Sequence, residues 1–141
     1  MPSALDVAAY ILEQHGPMTA MKLQKLVYYS QAWSIVWDDN ELFSEEIQAW
    51  KNGPVVRELW DVHKGRFRVS EIAGGNSDTL DEDQCDTANT VLKFYGDHSA
   101  QWLSDLTHLE DPWKNAWAEG PNSVITKEAL VEYYSSIEPP L

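Results

Sequence analysis

One predicted helix, from Thr19 to Trp37, most constrains how this chain can fold. Thr19 can cap the helix, and Met18 and Leu23 are spaced as a hydrophobic staple across its first turn. Apolar and small residues then recur every three or four positions, at Leu23, Leu26, Val27, Ser30, Ser34 and Trp37. This spacing predicts a long helix that buries one stripe of its surface in the core.

A second strip of the same helix adjoins the apolar stripe. It carries Lys22, Lys25 and Tyr29, and so places two cations on one helix of an acidic protein. Cations beside a buried stripe are available either for recognition of a partner or for hydrogen bonds within the fold. We expect the strip to form part of a partner-recognition surface, and the hydrogen-bonding alternative stays open.

The other segments predict further helices and two short strands. A first helix begins after Ser3 and runs to about Gln14, and an extended segment covers 43–50. A second strand is expected at 66–72 with Phe67 and Val69 pointing inward. The remaining helices are predicted at 54–64, from a capping box at 79–82 to 95, at 100–108, at 112–118, and after Thr126.

Taken together, these elements predict a mainly α (α+β) fold. We expect one domain over residues 1–141, a compact bundle of about six helices with a small antiparallel strand pair. Trp33 and Trp37 lie one helical turn apart, as do Trp113 and Trp117, so that each pair covers one strip of a helix. Tryptophan fills cores but is also enriched at interface hot spots, and we expect some of the seven to remain accessible.

Charge restricts the partners of this chain. Its 23 acidic and 10 basic residues give a formal net charge of −13, which repels phosphate backbones and anionic lipid surfaces and attracts basic proteins. We therefore expect neither free nucleic acid nor a membrane as a partner. The sequence shows no membrane-spanning run and no secretory signal, and its single cysteine, Cys85, is typical of a reducing compartment, so that a cytoplasmic location is predicted.

Motifs for chemistry are absent from the sequence. The four histidines share no metal-ligand spacing, and neither a nucleophile elbow nor a glycine-rich phosphate loop is present. We expect no enzyme activity, no catalytic residue, no metal and no cofactor. An enzyme that uses an unrecognised carboxylate or histidine site remains the third alternative.

The best alternative to protein binding is a helix-turn-helix regulator. The turn at Gly16-Pro17 separates two helices, and Lys22 and Lys25 lie near the start of the second, where a recognition helix contacts DNA. The net negative charge and the apolar character of that helix weigh against this role.

Three sequence blocks resemble the Panacea domain, the antitoxin module of a class of prokaryotic and phage toxin–antitoxin pairs. The blocks are K-L-Q-K-L-x-Y-Y-x-Q at 22–31, I-x-A-W-x-x-G-P-V-V at 47–56 and L-S-x-L-T-H-x-x-x-P-W at 103–113. They occur in the family's order and cover most of the chain. The resemblance implies an antitoxin that neutralises a co-encoded protein toxin by direct contact, often within a phage or mobile-element operon, and it leaves the oligomeric state open.

The resemblance also implies a set of site residues, to which we add Tyr29 because it lies on the same helix strip as Lys22 and Lys25. The proposed partner-binding residues are Lys22, Gln24, Lys25, Tyr28, Tyr29, Gln31 and Trp50. The proposed structural motif residues are Gly53, Pro54, Val55, His108 and Trp113. For Gly53 and Pro54 a structural role fits the sharp turn expected after Asn52.

Overall fold

Seven α-helices and two short pairs of strands form the described part of the chain, residues 1–139, in the computed structural model. The helices are α1 (Ala4–His15), α2 (Ala20–Trp37), α3 (Arg57–His63), α4 (Glu82–Tyr95), α5 (Ala100–Leu109), α6 (Asp111–Glu119) and α7 (Lys127–Tyr134). The strands are β1 (Met18–Thr19), β2 (Ile47–Trp50), β3 (Gly53–Val56) and β4 (Arg68–Val69). The predicted mainly helical fold with a small antiparallel sheet is confirmed.

Local capping explains where several helices begin. Ser3 caps α1 in a reciprocal capping box with Asp6, and Thr19 caps α2, as the sequence predicts. The predicted capping box at 79–82 is wrong. Ser77–Thr79 forms a single 3₁₀ turn. The capping box that starts α4 joins Asp81 to Gln84, since the side chain of each accepts a hydrogen bond from the backbone N–H of the other.

Helix α2 is the centre of the core. It packs against α1, α4, α5, α7 and β3, and every residue from Leu23 to Ile35 is buried. The prediction of one buried stripe was therefore too narrow, because neighbours surround the helix on all sides. The burial of 23–35 leaves only the two ends of α2 partly exposed, which weighs against the alternative in which α2 is the recognition helix of a helix-turn-helix. No helix in the described part of the chain, including α2, the longest, is both long and apolar enough to cross a membrane.

The strands β2 and β3 form a hairpin beside α2. Trp50 pairs with Gly53 at its end and Ala49 with Pro54 within it. Gly53 has a φ of +119°, a backbone conformation that glycine adopts without strain. The helix predicted from Pro54 begins three residues later, at Arg57, because the chain first completes this hairpin.

The second strand pair differs from its prediction. β4 contains only Arg68 and Val69 and pairs with β1, whereas β2 pairs with β3. Val69 is buried as predicted, but the Phe67 side chain is 83% exposed and the prediction of an inward Phe67 is wrong. Phe67 precedes the strand, so the inward and outward alternation of a strand does not extend to it.

Candidate functional site

Two of the three motif blocks meet at the tip of the β2–β3 hairpin, where α5 and α6 hold its carbonyl groups. The indole Nε1 of Trp113 donates a hydrogen bond of 2.8 Å to the backbone oxygen of Trp50. On the next residue, the backbone oxygen of Lys51 lies 3.1 Å from His108 Nε2. His108 and Trp113, proposed as structural residues, thus fix the position of the turn.

The remaining block, 22–31, contributes Gln24 of α2, whose side chain binds the backbone of Val56 at the other end of the hairpin. Its Oε1 accepts a 2.8 Å hydrogen bond from Val56 N, and its Nε2 donates to Val56 O at 3.2 Å. The same Nε2 lies 2.9 Å from His63 Nε2, which must accept because an amide nitrogen has no lone pair to offer. Burial lowers the pKa of His63, in agreement with a neutral ring. The Gln24 amide therefore makes its contacts within the fold.

Gln31, two turns further along α2, also uses its side-chain amide for hydrogen bonds within the fold. Its Oε1 accepts from Leu42 N at 2.7 Å, and its Nε2 donates to Phe43 O at 2.7 Å. The side chain is 5% exposed. Gln31 ties the segment that follows α2 to the helix, and it presents no free group to a partner.

The two tyrosines proposed for partner binding lie in a buried polar network, the Glu110 cluster, formed by Tyr28, Tyr29, Glu110 and Tyr134. The hydroxyls of Tyr29 and Tyr134 each donate a 2.7 Å hydrogen bond to Glu110 Oε1, and the Tyr28 hydroxyl lies 2.9 Å from that of Tyr134. Desolvation raises the pKa of Glu110 to about 7, and the two hydrogen bonds oppose that shift. Every polar group of this cluster has a partner.

Lys25 stands in contrast to that cluster. It is completely buried, and its Nζ makes no hydrogen bond with any of residues 1–139. Desolvation lowers its pKa to about 7. Lys22 remains partly exposed, but the expectation that Lys25 and Tyr29 lie on an accessible strip is wrong, since α2 is enclosed on every side.

Lys25 packs against the hairpin turn, which requires a glycine there. A Cβ at Gly53 would lie 2.5 Å from Lys25 Cε and 2.9 Å from Thr107 Oγ1. Pro54 and Val55 are buried in β3, while Trp50 is half-buried and donates from Nε1 to Gln48 Oε1 at 2.9 Å. Most of the proposed partner-binding residues thus have internal contacts.

The free space beside Lys25 is a surface pocket of about 430 Å³, which we call the basic pocket. Three of the chain's ten basic residues line it, namely Lys25, Lys64 and Arg66. Met21, Trp60 and Phe67 supply apolar wall, and His63 and Ser104 complete the inner part. None of the lining residues within the described range 1–139 is acidic, in a chain with 23 carboxylate side chains.

Two smaller pockets have the opposite charge. One of about 240 Å³ is lined by Asp111 and Glu132, and one of about 160 Å³ by three glutamates, Glu41, Glu45 and Glu46, and one lysine, Lys127. The basic pocket is therefore a local reversal of the molecule's charge. It can accept an anionic group with an apolar flank.

Sequence reasoning missed several residues of this pocket. The sequence pattern predicts an inward Phe67, and it gives no site role to Trp60 or His63. One available signal was the segment 64–68, Lys-Gly-Arg-Phe-Arg, which places three basic residues around an aromatic one in an acidic chain. The role of Glu110 had no local signal, because its partners Tyr29 and Tyr134 are distant in sequence.

Comparison with known proteins gives one match. The family model described as "Antitoxin SocA-like, Panacea domain" matches residues 23–114, a range that includes α2 from its first turn, the hairpin, the basic pocket's inner wall and Glu110. No curated protein and no solved structure matches the chain. Within residues 1–139, no group of three or more His, Cys, Asp or Glu side chains is placed to hold a metal ion.

Proposed function

Because the chain belongs to the SocA-like antitoxin family that carries the Panacea domain, we propose that it is an antitoxin that neutralises a co-encoded protein toxin by direct contact, in the cytoplasm and without chemistry of its own. The family match covers well over half of the chain. It includes most of the residues that line the basic pocket, all except Thr19, Ala20 and Met21.

Phe67, at the mouth of the basic pocket, is the observation that carries the proposal of direct contact. Its side chain is 83% exposed, the highest value among the large hydrophobic residues in the described part of the chain. Its backbone is held in place, since Phe67 O accepts a 2.9 Å hydrogen bond from Ala20 N and β4 pairs with β1 directly after it. An exposed aromatic residue on a backbone that is already ordered avoids the cost of ordering the backbone on binding and is typical of an interface anchor.

Charge supports a protein partner on the same face. The net charge of −13 accelerates encounter with a basic toxin, while the basic pocket offers a local site for an acidic group of that toxin. The two features act at different distances, since the summed field steers the approach and the pocket selects the orientation.

Growth rescue tests the proposal. We expect a short neighbouring open reading frame to arrest growth when expressed alone, and this protein to restore growth and to co-purify with the product of that frame. Rescue without a stable complex would contradict neutralisation by contact and would favour enzymatic repair of the toxin's damage.

A matched pair of variants locates the contact surface. Phe67→Ser removes the exposed anchor, and Leu109→Ser removes another exposed apolar side chain, 73% accessible, that does not line the pocket. Both should fold normally because neither side chain is in the core. Phe67→Ser should weaken the complex at least tenfold, whereas Leu109→Ser should leave it within about twofold. Equal effects of the two changes would place the contact elsewhere.

A further inference from the structure

The ammonium group of Lys25 is the only buried side-chain nitrogen or oxygen without a hydrogen-bond partner among residues 1–139. Buried charged groups are normally paired, because removal from water costs free energy that only a partner returns. The amine lies beside the hairpin turn, since a Cβ on Gly53 would lie 3.3 Å from Lys25 Nζ, and the fold gives it no acceptor: the nearby Thr107 hydroxyl donates to the backbone oxygen of Ser104 at 2.7 Å and makes no hydrogen bond with the amine. Nothing in the fold itself explains why a lysine occupies this position.

The basic pocket lies directly beside the unpaired group. Lys25 and His63 both line it, and His63 is neutral because its Nε2 accepts from Gln24. The inner part of the pocket therefore contains one cation without a counter-charge, and the two other cations, Lys64 and Arg66, are exposed at its mouth. One buried cation matches a group with a single negative charge.

The apolar wall restricts what carries that charge. Met21, Trp60 and Phe67 line the same pocket, and its volume of about 430 Å³ fits a side chain or a chain terminus rather than a folded segment. A carboxylate is the common singly charged anion in proteins, and it accepts hydrogen bonds from an ammonium group at short distance. A rotation of the Lys25 side chain away from Gly53 and toward the pocket would bring the two groups together.

We infer that the basic pocket binds a carboxylate carried beside an apolar or aromatic group, with Lys25 as its counter-ion. This inference rests on the proposed function for the origin of the ligand: in the antitoxin complex the carboxylate belongs to the toxin, as an acidic side chain or the chain terminus. The exposed Phe67 then covers the apolar part of the same toxin segment.

Small probes test the pocket without the toxin. N-acetylphenylalanine carries a free carboxylate beside an aromatic ring, and its primary amide is the same molecule without the charge. Each is titrated into the isotope-labelled full-length protein, and the backbone NMR signals of Asn52, Gly53 and Ser104 are followed. We expect saturable shifts with the acid and at least tenfold weaker binding of the amide. Equal binding of both, or no binding of the acid at millimolar concentration, would overturn the inference.

The variants are chosen so that folding does not decide the result. Lys25→Met keeps the length of the side chain and removes the buried charge, so it should be at least as stable as the wild type. Lys93→Met makes the same change at an exposed lysine of α4 that does not line the pocket. Binding of the acid should be lost in Lys25→Met and unchanged in Lys93→Met. Wild-type affinity in Lys25→Met would overturn the assignment of Lys25.

The toxin itself supplies the last comparison. With the purified toxin, Lys25→Met should bind at least tenfold more weakly than Lys93→Met, and saturating N-acetylphenylalanine should weaken the wild-type complex. If the acid binds but neither change affects toxin affinity, the carboxylate is not the toxin's and that part of the inference fails. If the wild type binds no toxin at all, the proposed function fails, whereas the probe titration still decides whether the pocket binds a carboxylate.

Discussion

Two buried ionisable side chains at the central helix α2 differ in whether the fold gives them hydrogen-bond partners. Glu110 Oε1 receives hydrogen bonds of 2.7 Å from Tyr29 and Tyr134, so the carboxyl group is tied into the fold. Lys25 lies on α2 itself, has no partner among residues 1–139, and borders a pocket. A satisfied buried group indicates a structural role, whereas an unsatisfied one beside open space indicates a site that a ligand completes.

The free energies of the two groups differ accordingly. Protonated Glu110 is a neutral member of a hydrogen-bonded network and costs little to bury. A charged Lys25 costs folding free energy, since its pKa falls from an ordinary 10.5 to about 7, which corresponds to several kcal/mol. Proteins retain such costs mainly at functional sites.

Gly53→Val should have the largest effect, because it combines backbone strain at a φ of +119° with a collision against Lys25 and Thr107. We expect a loss of roughly 3–5 kcal/mol in the free energy of unfolding. Gly16→Val is the control, since Gly16 also has a positive φ, +96°, but nothing lies within 4 Å of its added Cβ. Urea denaturation measures both. Equal costs would show that the contact with Lys25 is not tight.

Glu110→Ala should destabilise by roughly 2–4 kcal/mol at pH 5, because two buried tyrosine hydroxyls lose their acceptor. Glu119→Ala, at an exposed carboxylate that ends α6, should change stability by less than about 0.5 kcal/mol. A small effect of Glu110→Ala would mean that the cluster is solvated and not structural.

Glu110 also predicts a pH dependence with a definite sign. Its folded-state pKa, about 7, lies above the ordinary 4.5, so between these values the folded protein binds more protons than the unfolded chain. This contribution to stability is full below about pH 4.5 and is lost as the pH rises to about 7. Glu110→Gln should abolish that slope in thermal denaturation curves, and a slope of the same size in the variant would exclude Glu110 as its source.

Lys25→Met should stabilise the protein by about 1–3 kcal/mol near pH 6, because a desolvated charge is replaced by an apolar side chain. The sign of the pH dependence is opposite to that of Glu110. The folded-state pKa of Lys25 is lowered, so its cost is full below about pH 7 and disappears as the pH rises toward 10.5. The advantage of the variant should shrink over that range. Destabilisation at pH 6 would show that Lys25 has a favourable partner.

Tyr134→Phe should cause the smallest destabilisation, a loss of about 1–2 kcal/mol, since it removes one of two hydrogen bonds to Glu110 and also the partner of the Tyr28 hydroxyl. It should also raise the pKa of Glu110 further, because that hydrogen bond favours the charged carboxylate. Tyr133→Phe is the control, as the Tyr133 hydroxyl makes no hydrogen bond within the described residues 1–139 and should be neutral. Proton NMR at varied pH and thermal denaturation distinguish the two.

The sequence predicts the local parts of this structure well. The caps at Ser3, Thr19 and Thr126 lie where predicted, because a cap depends on residues three positions apart. The stacked pairs of Trp33 with Trp37 and Trp113 with Trp117 follow from helical spacing in the same way.

The burial of Lys25 and the exposure of Phe67 could not be predicted in this way. Both depend on which elements pack around them, and the sequence leaves open whether a lysine beside an apolar stripe faces solvent or the core. The motif residues mostly make contacts inside the fold, where Gln24 and Trp113 hold the hairpin to α2 and α6. Lys64, Arg66 and Phe67, which are exposed at the basic pocket, lie outside the motif blocks.

The pKa of the Lys25 amine tests the central contrast most directly. A ¹³C NMR titration of the lysine ε-carbons, with Lys25→Met to assign the signal, gives its value in the free protein and in protein saturated with N-acetylphenylalanine. We predict a midpoint of about 7 in the free protein and a clear rise toward the ordinary lysine range when the carboxylate is bound. A midpoint near 10.5 in the free protein, or no change on saturation, would contradict the account of Lys25 as an unpaired group that a ligand completes.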